Sequence, residues 1–266
     1  VVTLGRGASD TTAIGLAAAL GADRCEIFTD VDGVYTADPR CVPAAHRLGV
    51  IGYEEMLEMA QLGAKVLQHR SVGIAQRFRL PVVVRSSFVD TAGTSMGSGH
   101  EVEVESAAQV RGVAHDANVA RITVRKVCDR PGLAHSIFRP LADRGINVDV
   151  IVQNASEAGV TDISFTVSRA DMASALDAVR PVVTKINAGE VTADEGLAKV
   201  GVVGVGIQSA PGIAARAFQA LADVGINILG ITTSEIRITC LVAESDVEQA
   251  ARTLHAAFGL DDTTAE

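Results

Sequence analysis

The chain has 266 residues, of which 48% are hydrophobic and 21% charged, and a formal charge of -9. That length accommodates two or three domains with ordinary buried cores. The acidic balance excludes the phosphate neutralisation on which nucleic-acid binding rests, and 3% aromatics without Trp exclude an extended platform for stacking single-stranded bases.

The four cysteines, Cys25, Cys41, Cys128 and Cys240, form no CxxC pair. They read as separate thiols of a reducing, cytoplasmic compartment, and no metal site is expected from them. No apolar run reaches the roughly 18 residues of a membrane span. Val1-Val2-Thr3-Leu4 lacks the basic start and cleavage site of a signal peptide. It reads as a strand entered partway through a fold, so the chain is expected to be a fragment or subunit of something longer.

In chain order, the opening predicts a strand at 1–4, a Gly-rich turn at 5–9 and an Ala-rich helix at 10–20, with Ser9 or Asp10 as N-cap. A second strand follows at 25–28, then a Gly- and Asp-rich loop through Pro39. Helices are expected at 53–61 and 65–78, and a buried strand at 81–84. Strands alternating with helices predict a largely parallel sheet covered on both faces. The small polar stretch 91–99 and the acidic stretch 101–105 mark a domain boundary.

The remainder repeats itself. Residues 131–154 align with 211–234 at an offset of 80 without a gap, and 11 of the 24 positions are identical. Shared composition alone does not produce that register, so two copies of one unit are expected. Each copy reads strand, helix, strand, strand, helix. The first has strands at 121–127, 148–152 and 162–167 and helices at 133–144 and 172–184. The second has strands at 199–205, 228–232 and 237–242 and helices at 213–224 and 247–258. Pro131 and Pro211 fit early in their helices, and Gly145 and Gly225 fit the helix C-terminal caps. The first copy has a closing strand near 189–193, whereas the second ends without one. The unused strand at 109–115 is expected to complete the second copy, which makes the first copy an insertion.

Three stretches point to chemistry. Gly5-Arg6-Gly7-Ala8-Ser9-Asp10 offers backbone N–H groups at a helix N-terminus and a forked guanidinium, which suits a carboxylate or phosphate. A tight capped turn explains it equally. Thr29-Asp30-Val31-Asp32-Gly33-Val34-Tyr35-Thr36-Ala37-Asp38-Pro39 follows a buried strand, where ligands bind in open α/β sheets. Asp-Gly and Asp-Pro turn chemistry explains much of it without a ligand. Lys65, at an expected helix start where the dipole disfavours a cation, is either a solvated surface side chain or a polyphosphate ligand.

The loop 29–39 resembles the nucleotide loop of the amino-acid kinase superfamily. Arg6 to Thr12, Glu54-Glu55-Met56-Leu57-Glu58-Met59-Ala60 and Gly63-Ala64-Lys65-Val66-Leu67 resemble aspartokinases in particular. The repeat resembles the paired ACT modules that end those enzymes. The resemblance covers essentially the whole chain. It implies a partial amino-acid kinase α/β/α sandwich at 1–97, a linker at 98–108, a strand completing the second module at 109–117, and two ferredoxin-like βαββαβ ACT modules at 118–196 and 197–266.

It implies ATP-dependent phosphorylation of L-aspartate to 4-phospho-L-aspartate, with Mg2+ bridging the phosphates. Arg6, Gly7, Ala8 and Ser9 would hold aspartate, and Asp10 would orient the reacting groups. Phe28, Thr29, Asp30, Val34, Tyr35, Thr36, Ala37, Asp38, Pro39 and Lys65 would surround ATP. Lysine, threonine or both would be effectors. Their first-copy site would draw on Asp129, Arg130, Pro131, Gly132, Leu133, Ala134, Asn147, Val148, Asp149, Gln153 and Asn154. The second-copy counterparts are Ser209, Ile213, Ala214, Asn227, Ile228, Thr233, Ser234 and Glu235.

Two departures bear on these expectations. Ala8 stands where the family has Gly, which is costly if that position needs φ > 0. The family's Lys-Phe-Gly-Gly segment does not occur, so the chain alone is expected to be inactive. A second reading stays open: a non-catalytic regulatory subunit, forming a homodimer through its ACT modules or a heterotetramer with a longer catalytic chain. A glutamate kinase shares the loop but not the ACT pair.

Overall fold

The structure, a computed structural model, describes residues 7–97, 110–154 and 159–262. The strand expected at 1–4, Arg6, the linker at 98–108 and residue 109 lie outside the described residues. Two compact units emerge. One draws on Val1–His115, Lys199–Val242 and Asp246–Glu266, the other on Asp116–Ala198 and Ala243–Ser245. Among the described residues no helix is long and apolar enough to cross a membrane.

The first unit opens with α1 (Ala8–Ala19) and β1 (Cys25–Thr29), and continues with β2 (Val50–Ile51), α2 (Tyr53–Gln61), α3 (His69–Phe78), β3 (Val82–Ser86) and β4 (Thr94–Met96). The strands form one sheet in the order β1-β3-β4-β2. β1 pairs with β3 in parallel, as the sequence pattern predicts, but β3 and β4 are antiparallel. β4 lies within the small polar stretch read as a boundary. Its Thr94 is buried because the hydroxyl accepts the Val34 N–H at 2.8 Å and donates to the Leu48 carbonyl at 2.6 Å, tying the long loop after β1 to the sheet. α1 starts two residues earlier than expected. Its N-cap is Gly7, in the left-handed conformation at φ 72°, with no side-chain cap.

The rest of this unit comes from the second repeat. The end of β8 (Val191–Val203) lies between β10 (Arg237–Ala243) and the start of β5 (Gly112–Cys128), and β9 (Gly230–Thr233) is outermost. The Arg111 N–H donates to the Val203 carbonyl at 2.7 Å, extending the pairing of β5 with β8. Helices α6 (Ile213–Asp223) and α7 (Val247–Ala257) complete the repeat. Ala114 and Val203 belong to the same buried cluster as Ile14, Ile51, Met56, Met59, Val72 and Val82. One hydrophobic core therefore unites residues far apart in sequence.

The second unit has the order β6-β7-β5-β8, with β6 (Ile151–Gln153) and β7 (Val160–Val167), and helices α4 (Leu133–Asp143) and α5 (Met172–Lys185). With chain order βαββαβ this is a ferredoxin-like module. Its own core gathers Ile122, Ile137, Leu141, Phe165 and Val179.

The offset of 80 holds in three dimensions: α4 and α6 are both 11 residues long and start at equivalent positions. Pro131 and Pro211 precede the helices rather than enter them, and Gly132 and Gly212 are the N-caps. At the other end Gly145 and Gly225 adopt φ 68° and 73°. The Ile146 N–H reaches the Leu141 carbonyl and the Ile226 N–H the Leu221 carbonyl, both at 3.0 Å, so each helix closes in a Schellman motif that satisfies its last carbonyls.

Candidate functional site

The first candidate group sits at the start of α1. Among the described residues of this turn, Gly7 adopts the left-handed conformation and Ala8 is an ordinary helical residue, so the concern over a lost glycine at position 8 does not arise. The Ser9 hydroxyl donates to Asp10 Oδ1 at 3.3 Å, and both side chains lie in the first turn, where a carboxylate suits the helix dipole. Neither is the N-cap that the sequence predicts.

The loop after β1 is held by its own side chains. Tyr35 Oη donates to Asp32 Oδ1 at 2.9 Å, and Tyr35 bridges Arg47 across the loop. Burial, reinforced by that bond to Asp32, raises the Tyr35 phenol above its usual value. Asp38 takes two bonds from the Arg40 guanidinium, at 3.0 and 2.7 Å, and one from the Arg40 N–H at 2.9 Å. These hold its carboxyl below the usual carboxylate range. Val34, Thr36 and Ala37 are buried. The Thr36 N–H donates to the His46 carbonyl and its own carbonyl accepts the Val113 N–H. These three residues form the floor of the loop, whereas Phe28, Asp30 and Pro39 are exposed and Thr29, Tyr35 and Asp38 half-buried. Lys65 is exposed on the turn between α2 and α3; the second helix begins at His69, four residues later than expected.

The repeat reaches this loop from below. His255, buried on α7, has Nε2 at 2.9 Å from Thr36 Oγ1. Burial pushes its pKa down. Arg252 on the same helix donates to the Cys41 carbonyl at 3.1 Å. On the opposite side of the repeat, Arg237 pairs with Glu58 of α2 at 2.7 Å, and the Ser234 hydroxyl donates to the same carboxylate at 2.9 Å.

In the first copy the side chains of Asp129, Arg130, Ala134, Asn147, Asp149, Gln153 and Asn154 are exposed, as are Pro131 and Gly132, while Leu133 is buried and Val148 half-buried. In the second copy Ser209, Asn227, Thr233 and Glu235 are exposed, and Ile213, Ala214 and Ile228 are half-buried. The Ser234 side chain is already committed, to Glu58. Among the described residues no group of three His, Cys, Asp or Glu gathers as a metal would require.

The pattern of the amino acid kinase family matches residues 2–86, and that of the ACT domain matches 122–181 and 200–258. The aspartokinase of Corynebacterium glutamicum is 49% identical over 263 residues, covering 98% of this chain and 62% of the relative. The regulatory subunit of aspartate kinase from Thermus thermophilus is 40% identical, with a TM-score of 0.54, over 56% of this chain and 98% of its own. The chain belongs to the aspartokinase family. It spans about three fifths of the length of the curated relatives it matches. Escherichia coli aspartokinase III, solved with aspartate and ADP, superposes with a TM-score of 0.79 at 32% identity, over 96% of this chain and 57% of its own. The same enzyme solved with lysine and aspartate gives 0.72 at 33%, over 97% and 56%.

Against the aspartokinase reading, sequence reasoning missed two features of this region. His255 lies 219 residues from Thr36, and no local pattern marks a buried His that meets a loop so distant. The sequence reading assigns nothing to 87–90, between the strand at 81–84 and the small polar stretch 91–99, yet the Ser87 N–H donates to the Thr29 carbonyl at 2.8 Å and so joins the end of β1. The exposed Phe88 in an aromatic-poor chain was the signal available.

Proposed function

We propose that the chain is the nucleotide-binding and regulatory part of an aspartate kinase, which transfers the γ-phosphoryl group of ATP to the side-chain carboxylate of L-aspartate. The bond between the γ-phosphorus and the bridging oxygen breaks, one to a carboxylate oxygen forms, and ADP and 4-phospho-L-aspartate leave. Such a transfer rests on positioning and charge stabilisation, not on a nucleophilic side chain. The observation that carries the reading is the conjunction, in one unit, of the Gly7 turn opening α1 and the long loop leaving the carboxyl end of β1.

Arg6, Gly7, Ala8 and Ser9 would hold aspartate, with Asp10 orienting the reacting groups. Phe28, Thr29, Asp30, Tyr35, Asp38 and Pro39 would face the nucleotide, over a floor of Val34, Thr36 and Ala37, and Lys65 would reach the phosphates. Mg2+ would arrive with the nucleotide and would supply neutralisation of the phosphate charge during transfer. The ADP and aspartate named with E. coli aspartokinase III support this assignment. Calorimetric titration of the chain with Mg2+ and ADP tests it: saturable binding is expected, and a folded chain that takes up no ADP would overturn it.

The reading extends to regulation in the cytoplasm. The segments 118–196 and 197–266 act as ACT modules, the first inserted into the second through the strand at 109–117, and bind lysine, threonine or both. Exposed Ile151 and Val152 on β6 and Ile231 on β9 lie on sheet edges, which favours edge-to-edge pairing in a homodimer. Titration with each amino acid, at concentrations that raise stability by about 2.7 kcal/mol when a hundredfold above Kd, tests the regulatory half. The separate regulatory subunit of Thermus thermophilus favours a second reading, a non-catalytic chain in a heterotetramer. Nucleotide uptake by calorimetry separates the two, because a purely regulatory chain has no use for it.

A further inference from the structure

Helix α7 belongs to the second repeat, yet one of its faces is turned to the loop between β1 and β2. That loop runs from Asp30 to Gly49. Among the described residues it contains no helix or strand, only the single Tyr35–Arg47 bridge. A segment so long and irregular takes its place from what it packs against. Positions 248, 252 and 255 of α7 are spaced by four and three, so they share one side of the helix. All three meet the stretch 36–41.

Both ends of that stretch are held. At Thr36, His255 Nε2 lies 2.9 Å from Oγ1, and the same oxygen accepts the His46 N–H at 3.2 Å. Thr36 and His255 are each 1% exposed, so a bond lost there leaves a polar group buried without its partner. At Cys41, the Arg252 guanidinium donates to the carbonyl at 3.1 Å, and the thiol donates to the Glu248 carbonyl at 3.7 Å. The N–H groups of Cys41 and Val42 close back on the Asp38 carbonyl at 2.9 and 2.8 Å. The turn carrying Ala37, Asp38 and Pro39 is thus pinned to α7 on both sides. Its own side-chain bonds, Tyr35 to Asp32 and Arg40 to Asp38, join residues two or three apart, which shapes the turn without placing it.

Resting on the nucleotide reading of this loop, we propose that His255 and Arg252 are positioning residues for nucleotide binding, with α7 clamping the stretch 36–41 in the arrangement that receives the ligand. Neither side chain needs to touch the nucleotide. Their contribution is preorganisation: a turn already held in place loses less freedom when the ligand arrives.

Calorimetric titration with Mg2+ and ADP tests the role, each variant being read at a temperature at which circular dichroism shows it folded. His255→Leu should weaken ADP about tenfold, the loss that one buried hydrogen bond carries. His255→Gln keeps a hydrogen-bonding group near the Nε2 position and should stay within about threefold of the unmodified chain. Arg252→Ala, at a side chain 48% exposed, should fold and weaken ADP a few fold. Leu221→Val is the control. It loosens the buried side of α6 in the same repeat, makes no bond to the loop, and should leave ADP affinity unchanged. If Leu221→Val or His255→Gln weakens ADP as much as His255→Leu does, α7 acts only through the stability of the fold, and the positioning role falls while the nucleotide reading stands. If His255→Leu does not fold, Arg252→Ala decides, and unchanged affinity there overturns the role. A folded, unmodified chain that takes up no ADP overturns both readings.

Discussion

At the level of single residues, the turn before α1 separates a glycine that is required from an alanine that is not. Gly7 sits at φ 72°, and a Cβ there would also meet the side chain of Gln68. Gly7→Ala is therefore expected to lower stability by about 1–2 kcal/mol. Ala8 is helical, so Ala8→Gly, the exchange toward the family's habit, should cost up to about 1 kcal/mol instead of restoring anything. Urea midpoints at unchanged slope read both. A gain in stability from Ala8→Gly would show that this position needs the freedom of glycine. His255 supplies a second residue-scale expectation. Its pKa is depressed by burial and by His46, with Asp261 opposing. Below the ordinary His value of about 6.5 the unfolded chain binds a proton that the folded chain refuses. Stability is thus fully present above that value and falls as pH drops toward the folded one. Denaturation at pH 7.5 and 5.5 should show the loss, and His255→Gln should diminish it. Equal losses in the two proteins would place the acid sensitivity elsewhere.

At the scale of elements, what was legible follows from local chemistry. The helices of the repeat were placed within two residues because apolar periodicity and the Gly145 and Gly225 caps are both local signals. The long strands were not legible. Residues 109–115 and 121–127 read as two strands, yet Gly112–Cys128 is continuous through Asp116 and Asn118. Likewise 189–193 and 199–205 merge into β8 across Asp194, Glu195 and Gly196. Polar residues there signal a turn, but tertiary partners keep them extended: Arg121 binds Asp194 at 3.1 Å and Arg169 donates to the Glu195 carbonyl at 2.7 Å. The candidate site divides in the same way. Burial of Val34, Thr36 and Ala37 depends on Thr94 and α7, which no reading of the loop itself could include. The docking of α2 is a further non-local case. Glu58 and Arg237 have side chains only 17% and 14% exposed, so removing one charge strands the other in a largely dry place. Arg237→Ala is expected to cost about 2–3 kcal/mol, and the double exchange Arg237→Ala with Glu58→Ala less than the sum of the single ones. Additive losses in that cycle would mean that the pair is not coupled.

At the scale of the whole chain, the first unit is assembled from segments that the sequence separates by more than 80 residues, and its joints are both apolar and polar. Ala114 and Val203 enter the core built around Ile51, Met56 and Val82, Thr36 meets His255, and Glu58 meets Arg237. A core shared in this way opens as one cooperative body. Native-state hydrogen exchange in low denaturant is therefore expected to give the amides of β3 and α7 the same opening free energy and denaturant dependence, although they belong to different sequence motifs. The amides of α5 and β7, whose core holds Phe165 and Val179, should follow a separate isotherm. A destabilising exchange in the joint distinguishes cooperation from coincidence. His255→Gln should lower the protection of β3 and α7 together and leave α5 unchanged. If α7 loses protection while β3 keeps it, the second repeat and the kinase-like half are separate folding bodies. A signal arising in the repeat could then reach the loop after β1 only through surface contacts. Joint loss would mean that the loop after β1 and the helix beneath it share one stability, so any ligand that orders the repeat also orders the floor on which the nucleotide would rest.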